Sequence, residues 1–333
     1  MTRRTQDTPI HLDRSPARVV YILSTGRSGS TLLDLLLNTH PDVVSFGEIQ
    51  LVPFLVEGVD PVCGCGERLD ACQFWKDLLS EPAVVDEDRT LRLFRESRGA
   101  GRVLRPRLLP GLLLGRPLPI LGPSRRVLER YVERNLRLFS LLRERSTRVG
   151  LTQGRNPWMV DSSKDPYRLL LLARHEAFDV RVIHLVKDPR AYVFSTTRPD
   201  EKHPHRRVVR MAGRWLVQNS MFSRVLRAAV DSQKMLFLRY EDLATNASEE
   251  LGRIARFLEI DAELFDLEGF RRHVNHAIAG NPMRWRSDAI RLDDRWVTGL
   301  APSLRRLTWA LTGSLARRFG YPAGSDRQGN SEH

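Results

Sequence analysis

The sequence predicts an α/β fold in which a parallel sheet carries helices on both of its faces. Short apolar runs rich in β-branched residues alternate along the chain with longer helical segments, and this alternation is typical of βαβ units. Polar residues directly follow several of the apolar runs, and open parallel sheets bind their ligands at that end of their strands. The predicted strands are residues 19–23, 43–46, 158–161, 180–186 and 235–238.

The first predicted strand leads through a loop of small residues into a helix. Residues 24–29 form a Gly/Ser-rich loop around Arg27, and residues 30–37 have the composition of a helix start. Such a loop directs backbone N–H groups and the positive end of the helix dipole at one point, which favours anions and phosphate above all. An ordinary strand-turn-helix connection is the alternative, but the small residues around Arg27 favour phosphate binding.

This loop resembles a Walker phosphate loop without matching it. The Walker sequence has a Lys directly before its final Ser or Thr, and Ser30 occupies that position here. The cation lies inside the loop instead, as Arg27. We therefore predict a P-loop-like nucleotide-binding core with a modified loop, which argues against a standard ATPase.

Glu48 follows the second predicted strand, residues 43–46, after a single Gly. Because the carboxyl ends of parallel strands meet at one edge of the sheet, we expect Glu48 to lie near the phosphate loop. A carboxylate in that position can act as a general base. Its alternative role is to cap the apolar helix that follows, and the residues alone favour neither.

All three cysteines of the chain lie close together, as Cys63, Cys65 and Cys72. Three thiols at this spacing can bind zinc, but no fourth ligand is evident within reach of the pattern. The sequence therefore favours a local structural knot, with the cysteines reduced or with one disulfide.

We predict one domain over residues 1–333, with its core in residues 17–50 and 155–323 and a basic insertion in residues 51–150. Residues 129–145 of the insertion have helical periodicity, and residues 99–123 form a long basic loop with interspersed Leu and Pro. A solvated insertion is the default interpretation of such a segment. The alternative is a cap that binds an acceptor or makes peripheral contact with an anionic membrane.

Four predicted strands end in polar clusters that one crevice can gather. The clusters are residues 26–30, 162–165, 187–190 and 240–242.

Composition narrows the class of protein. Of the 333 residues, 41% are hydrophobic, which suffices for a core, and the net charge of +13 favours anionic ligands. Residues 1–15 carry no apolar signal region, and prolines and an arginine interrupt residues 108–121, so neither secretion nor a spanning helix is expected. Three cysteines suit a reducing compartment, and we predict a cytoplasmic protein. No zinc-finger, RNP or basic-zipper pattern appears, so we expect no nucleic-acid partner.

Three segments of the sequence resemble the sulfotransferases that use 3′-phosphoadenosine-5′-phosphosulfate (PAPS). These segments are STGRSGSTLL at residues 24–33, LVKDPRAYVFST at 185–196 and FLRYEDL at 237–243. The resemblance implies that the first loop binds the 5′-phosphosulfate and that Lys187 and Ser195, eight residues apart, bind the 3′-phosphate. The family usually has Arg where this chain has Lys187, which keeps the charge but loses the bidentate fork. The donor-binding residues that the resemblance implies are Gly26, Arg27, Ser28, Gly29, Ser30, Thr31, Lys187, Ser195, Tyr240 and Arg284.

Within that family, residues 27–48 are most similar to the tyrosylprotein sulfotransferases and their bacterial relatives. The resemblance extends to the Lys-Asp-Pro at residues 164–166, to the cysteine segment and to a late Gly-Asn-Pro-x-Arg that ends at Arg284. It implies that Glu48 is the catalytic base and that Lys164 stabilises charge.

The function expected from this resemblance is in-line transfer of a sulfuryl group from PAPS to an acceptor hydroxyl or amine, with PAP as the product. Arg27 and Lys164 are the candidates to stabilise the charge that develops on the departing phosphate, and no metal is required. A P-loop-type nucleotide kinase is the alternative, but it needs the Walker Lys that Ser30 replaces. The sequence does not distinguish among protein tyrosine, sugars, lipid headgroups and small molecules as the acceptor.

Overall fold

The structure is a computed structural model, and it describes residues 15–55, 62–81, 84, 91, 124–197, 203–286 and 289–324. Five parallel strands form one sheet in the order β2-β3-β1-β4-β5. The strands are β1 (Ala17–Ser24), β2 (Val43–Ser45), β3 (Trp158–Asp161), β4 (Phe178–Val186) and β5 (Met235–Arg239). The predicted parallel α/β fold is therefore confirmed, and the five predicted strands are present with ends that differ by a few residues.

Strand β1 lies at the centre of the sheet because both of its faces are apolar. Val19, Tyr21 and Leu23 pack in one hydrophobic cluster, and Val20 and Ile22 pack in a second cluster on the opposite face. Successive side chains of a strand point to opposite faces, so an unbroken apolar run is buried on both sides only when both faces are covered.

Helices cover both faces of the sheet. The helices are α1 (Ser30–Leu37), α2 (Val52–Leu55), α3 (Arg125–Arg148), α4 (Pro166–Leu172), α5 (Pro189–Thr196), α6 (Pro204–Ala229), α7 (Tyr240–Thr245), α8 (Ala247–Leu258), α9 (Trp296–Gly299) and α10 (Pro302–Arg318). On the face of Tyr21 lie α3, α4 and α6, and on the face of Ile22 lie α1, α7 and α8.

Local features mark the ends of two helices. Helix α4 ends at Leu172, because residues 173–177 form a turn in which His175 donates its backbone N–H to the Leu172 carbonyl at 3.2 Å. Helix α6 begins at Pro204, since Pro is well suited to the first turn of a helix. The periodic segment 129–145 lies inside α3, whereas the predicted basic loop 99–123 lies outside the described residues.

A third hydrophobic cluster joins the C-terminal helix α10 to α5 and α6. The hydroxyl of Tyr321, just beyond α10, donates to the carboxylate of Glu241 at 2.8 Å and lies 3.1 Å from the Val186 carbonyl oxygen. Glu241 in turn accepts the backbone N–H of Asp188 at 3.0 Å. These hydrogen bonds connect the chain segment that follows β4 to Tyr321 in the C-terminal part of the protein.

Across the residues that the structure describes, no helix combines the length and the apolar character needed to cross a membrane.

Candidate active site

The loop between β1 and α1 has the backbone shape of an anion-binding turn. Arg27 and Gly29 both adopt positive φ, at 68° and 91°, and the hydroxyls of Thr25 and Ser28 are hydrogen-bonded at 2.6 Å. Gly29 occupies the N-cap position of α1, so the free N–H groups of the first helical turn open toward the loop. Arg27 is exposed, and among the described residues its guanidinium has no ion-pair partner. A cation beside unpaired backbone donors suits a phosphate or sulfate group.

Tyr240 packs against this loop at Gly29. A Cβ atom at Gly29 would lie 2.3 Å from the Tyr240 ring, so no larger residue fits there without displacing the ring. The centroid of the Tyr240 ring also lies 4.2 Å from the ammonium of Lys187. The structure therefore brings together the loop after β1, the residue after β4 and the residue after β5, as the sequence predicted for their polar clusters.

Lys187 is buried, and burial lowers the pKa of its ammonium. Within the described part of the chain, the carboxylate of Asp293 lies 4.0 Å from this ammonium, and the backbone N–H of Asp293 donates to the Tyr240 hydroxyl at 3.3 Å. The ion pair with exposed Arg295 lowers the pKa of Asp293. Sequence reasoning missed Asp293, because nothing in the local pattern of residues 289–295 marks it.

Ser195 lies near the C-terminal end of α5, and its hydroxyl donates to the Tyr192 carbonyl at 2.8 Å. Lys187 lies just before that helix and is buried, whereas Ser195 lies near its other end and is partly exposed. Within the described residues, the two side chains are not hydrogen-bonded to each other.

Glu48 and Lys164 form an ion pair at the carboxyl edge of β2 and β3. The Lys164 ammonium donates to the Glu48 carboxylate at 3.1 Å and to the Ser162 carbonyl at 2.9 Å, and both side chains are largely buried. Lys164 adopts a positive φ of 62°, which is uncommon for a residue with a side chain. Two residues predicted to act in catalysis are thus direct neighbours.

The backbone around Glu48 is fixed by a second chain segment. Gly47 forms an isolated bridge with Ile278, and a Cβ at Gly47 would lie 2.4 Å from the Ile278 carbonyl oxygen. The Glu48 backbone N–H donates to the same carbonyl at 3.2 Å. Glycine is therefore required before Glu48, both by this approach and by its φ of 69°.

Asp34 lies beside this pair, fully inside the protein, and the sequence did not single it out. Its carboxylate accepts the Ser45 hydroxyl at 2.9 Å, and burial raises the pKa of Asp34 to about 6 although the nearby Lys164 acts in the opposite direction. The sequence feature that could have identified Asp34 is an acidic residue within the apolar run of α1. A small pocket is lined by residues of α1, of the strand ends and of the late loop: Thr31, Asp34, Leu35, Gly47, Ser162, Lys164, Asn275, Ala277, Ala279, Gly280 and Arg284.

Thr31 and Arg284 make contacts within the protein at the far wall of this pocket. The Thr31 hydroxyl accepts the backbone N–H of Asn281 at 3.1 Å, and Gly280 approaches Thr31 closely with a φ of 97°. The Arg284 guanidinium donates to the Ala277 carbonyl at 3.4 Å and to the Val62 carbonyl at 3.1 Å. In this structure Arg284 therefore joins the late loop to the cysteine segment.

His40 follows the end of α1, and both of its ring nitrogens are hydrogen-bonded to backbone groups. Nδ1 accepts the backbone N–H of Asp42 at 3.0 Å, which makes Nε2 the donor to the Asp261 carbonyl at 2.9 Å. Burial lowers the pKa of His40, and its ring packs on Phe265. Both contacts are typical of a structural histidine.

The three cysteines are free thiols, so the expected disulfide alternative does not occur here. The cysteine pattern itself offers no fourth ligand, but the structure brings a possible one from a distant segment. His276 lies beside all three thiols, and the spacing of the cysteines could not reveal it because it is 204 residues beyond Cys72.

Comparison with known proteins agrees with this architecture. Residues 169–284 match the family model of the sulfotransferase domain, and no curated protein sequence matches the chain. The sulfotransferase domain of the Synechococcus PCC 7002 olefin synthase is similar in structure, with a TM-score of 0.51 and 23% identity over 96% of this chain and 99% of that domain.

Two further solved structures are similar to the chain at lower scores. The sulfotransferase domain from the curacin biosynthetic pathway has a TM-score of 0.48 and 20% identity, over 91% of this chain and 98% of that domain. The sulfotransferase STF9 of Mycobacterium avium has a TM-score of 0.40 and 15% identity, over 95% of this chain and 80% of its own. The chain therefore has the P-loop-like α/β fold of sulfotransferases and contains, over residues 169–284, a segment that matches the sulfotransferase domain.

Proposed function

We propose that this protein transfers a sulfuryl group from PAPS to an acceptor hydroxyl or amine. The observation that carries the proposal is the Glu48–Lys164 ion pair at the carboxyl edge of the sheet, beside a pocket that also includes Thr31 of the helix after the phosphate-type loop. A base and a cation next to an anion-binding loop are the groups that such a transfer needs.

The donor would be bound from its two charged ends. The loop of residues 26–31, with its backbone N–H groups and Arg27, fits the 5′-phosphosulfate, and the buried ammonium of Lys187 fits the 3′-phosphate. The Tyr240 ring lies between these two regions and contacts both. Bound in this way, PAPS supplies an activated sulfuryl group.

Glu48 and Lys164 would have separate roles in the transfer step, as proton acceptor and as stabiliser of negative charge. The Glu48 carboxylate accepts the proton of the acceptor hydroxyl or amine, a role typically worth ~10² to 10⁴ in rate. The Lys164 ammonium, which the Glu48 carboxylate and the Ser162 carbonyl hold at the pocket, stabilises negative charge as it develops near the loop. Arg27, an exposed residue within this loop, contributes a second positive charge.

Calorimetric titration of the full-length protein with PAP and with ATP plus magnesium tests this proposal. We expect PAP to bind in the micromolar range and ATP with magnesium to bind much more weakly, because Ser30 occupies the place of the Walker Lys. A clear preference for ATP would favour a nucleotide kinase and contradict sulfuryl transfer.

The acceptor class can be approached with [³⁵S]PAPS and a panel of acceptors. A tyrosine peptide, a phenol, a monosaccharide, a fatty alcohol and a primary amine sample the hydroxyl and amine chemistry. Sulfation of the tyrosine peptide in preference to the others would support the resemblance to tyrosylprotein sulfotransferases, and sulfation of another member would replace that assignment.

A further inference from the structure

The side chains of Cys63, Cys65, Cys72 and His276 converge on one point behind the pocket. The four possible ligand atoms, three Sγ and the His276 Nδ1, all lie within 4.8 Å of one another. Nδ1 lies 3.5 Å from Cys63 Sγ and 3.3 Å from Cys72 Sγ, and the Sγ atoms of Cys65 and Cys72 are 3.8 Å apart. No residue of this cluster has a role in the sulfuryl transfer proposed above.

These separations are close to the edges of a zinc tetrahedron. With Zn–S bonds of about 2.3 Å and a Zn–N bond of about 2.0–2.1 Å, tetrahedral geometry separates two sulfurs by ~3.8 Å and sulfur from nitrogen by ~3.6 Å. In the structure the Sγ atoms of Cys65 and Cys72 are 3.8 Å apart, and the S···N distances from Cys63 and Cys72 are 3.5 and 3.3 Å. A disulfide, by contrast, needs its two sulfurs ~2.05 Å apart, and all three cysteines are free.

The polypeptide around the cluster is built to hold these four groups. Gly64, between the first two cysteines, has no room for a side chain, since a Cβ would lie 2.7 Å from the Asn275 carbonyl oxygen. The Gly64 backbone N–H donates to the Ala277 carbonyl at 3.0 Å. The Cys-x-Cys turn is therefore in direct contact with Asn275 and hydrogen-bonded to Ala277, the two neighbours of His276 in sequence.

Aromatic side chains complete the enclosure. The buried Phe74 ring stacks on the His276 ring at 5.1 Å, and the buried Trp75 indole N–H donates to the His276 carbonyl at 2.8 Å. Cys63 and Cys72 are fully buried, while Cys65 is partly exposed. Burying thiols beside an imidazole with a fixed ring orientation is the arrangement of a structural metal site, in which the ligands saturate the ion and no position is open to substrate.

We propose that Cys63, Cys65, Cys72 and the Nδ1 of His276 bind one structural Zn²⁺ ion. The metal joins two segments that are about 200 residues apart in sequence, and the second of these forms the wall of the candidate active site. Ile278, two residues beyond His276, accepts the Glu48 backbone N–H, and Asn281 donates to Thr31. Zinc here fixes the segment on which the positions of Glu48 and Thr31 depend, and takes no part in the transfer itself.

Metal analysis of the full-length protein, purified without chelators or added metal, tests the site directly. We expect about one zinc per chain, released when a mercurial reagent modifies the thiols. After zinc is removed, titration with Co²⁺ should give thiolate-to-cobalt charge-transfer bands and the intense visible bands of tetrahedral cobalt. Protein that holds no stoichiometric metal and gives neither set of bands would overturn the proposal, as would a disulfide found between two of the three cysteines.

Two variants and a matched control assign the ligands. Cys65→Ser, at the partly exposed position, and His276→Ala should lower the zinc content at least fivefold, whereas His205→Ala, at an exposed histidine of α6, should keep it unchanged. Zinc content equal to wild type in both ligand variants would overturn the assignment. If either variant fails to fold, the cobalt spectrum of the wild-type protein still decides between the outcomes.

The structural role has its own readout. Removing zinc from the wild-type protein should lower the thermal midpoint and speed amide hydrogen exchange at residues 275–281 and at Glu48, and adding zinc back should restore both. Exchange at those amides that is unchanged by zinc removal would contradict a role in holding the active-site wall. These measurements need neither donor nor acceptor, so their outcome does not depend on whether the protein has the proposed transferase activity.

Discussion

Glu48 and His40 both carry a group that can accept a proton, but their surroundings differ. The Glu48 carboxylate pairs with Lys164, which lines the pocket, whereas both ring nitrogens of His40 are hydrogen-bonded to backbone groups. Glu48→Gln keeps the shape of the side chain and removes its basicity, so we expect PAP affinity to be retained and transfer to fall by at least ~10²-fold. The measurement is the rate of [³⁵S]sulfate transfer to whichever acceptor of the panel the wild type uses.

Glu176→Gln, at an exposed position after α4, is the matched control and should transfer at the wild-type rate. A Glu48→Gln protein with near wild-type activity, beside a folded but inactive His40→Ala protein, would make His40 the base.

Lys187 is the second position at which a single side chain carries a specific prediction. Charge-assisted hydrogen bonds contribute ~1.5–3 kcal/mol, so Lys187→Ala should weaken PAP by ~10- to 100-fold and adenosine 5′-phosphosulfate, which lacks the 3′-phosphate, far less. Calorimetry with both ligands measures the difference. Lys234→Ala, which removes an exposed lysine paired with Asp179, is the control and should change neither affinity. Equal losses for both ligands would show that Lys187 does not contact the 3′-phosphate.

The loop between β1 and α1 depends on how two elements meet at Gly29. Its φ of 91° disfavours any side chain by ~1–2 kcal/mol, and the Tyr240 ring of α7 occupies the space where a Cβ would lie. We expect Gly29→Ala to displace the ring or the loop and to weaken PAP at least tenfold, as measured by calorimetry. Gly213→Ala, at a helical glycine with open space around its Cα, should leave PAP affinity unchanged. A Gly29→Ala protein with wild-type affinity would show that donor binding does not need this close approach.

One buried charged group, the Arg168 guanidinium, links helix α3 to α4 and β3. The Arg168 guanidinium of α4 forms an ion pair with Asp161 of β3 at 2.7 Å, donates to the Tyr131 hydroxyl of α3 at 3.0 Å, and also donates to the amide oxygen of Asn135. All of these groups are buried. Helix α3 belongs to the predicted insertion, yet it shares a hydrophobic cluster with β1.

Arg168→Met removes that charge and leaves the Asp161 carboxylate buried without its partner. Such a change typically destabilises a protein by ~3–5 kcal/mol, which urea unfolding followed by tryptophan fluorescence can measure. Arg125→Ala, in an exposed ion pair at the start of α3, should leave the unfolding midpoint nearly unchanged. A loss below ~1 kcal/mol for Arg168→Met would mean that water or another cation compensates Asp161.

Local patterns determined much of this protein. Apolar runs long enough to be buried on both faces predicted all five strands, because a parallel sheet covered by helices leaves no polar face. The small residues around Arg27 predicted the loop before α1, and the rule that strand ends meet at one edge predicted that Glu48 would lie near it. Each of these predictions depends on neighbouring residues or on a general property of the fold.

Contacts between distant segments were decided only by the tertiary structure. The approach of Tyr240 to Gly29, the pairing of Lys164 with Glu48 and the burial of Asp34 depend on how strands and helices are arranged, and no local period encodes that arrangement. His276 is the clearest case. The cysteine pattern contains three possible ligands, and the fourth lies 204 residues beyond Cys72. His276 comes close to the thiols because the late loop pairs with Gly47 and is hydrogen-bonded to the Cys-x-Cys turn.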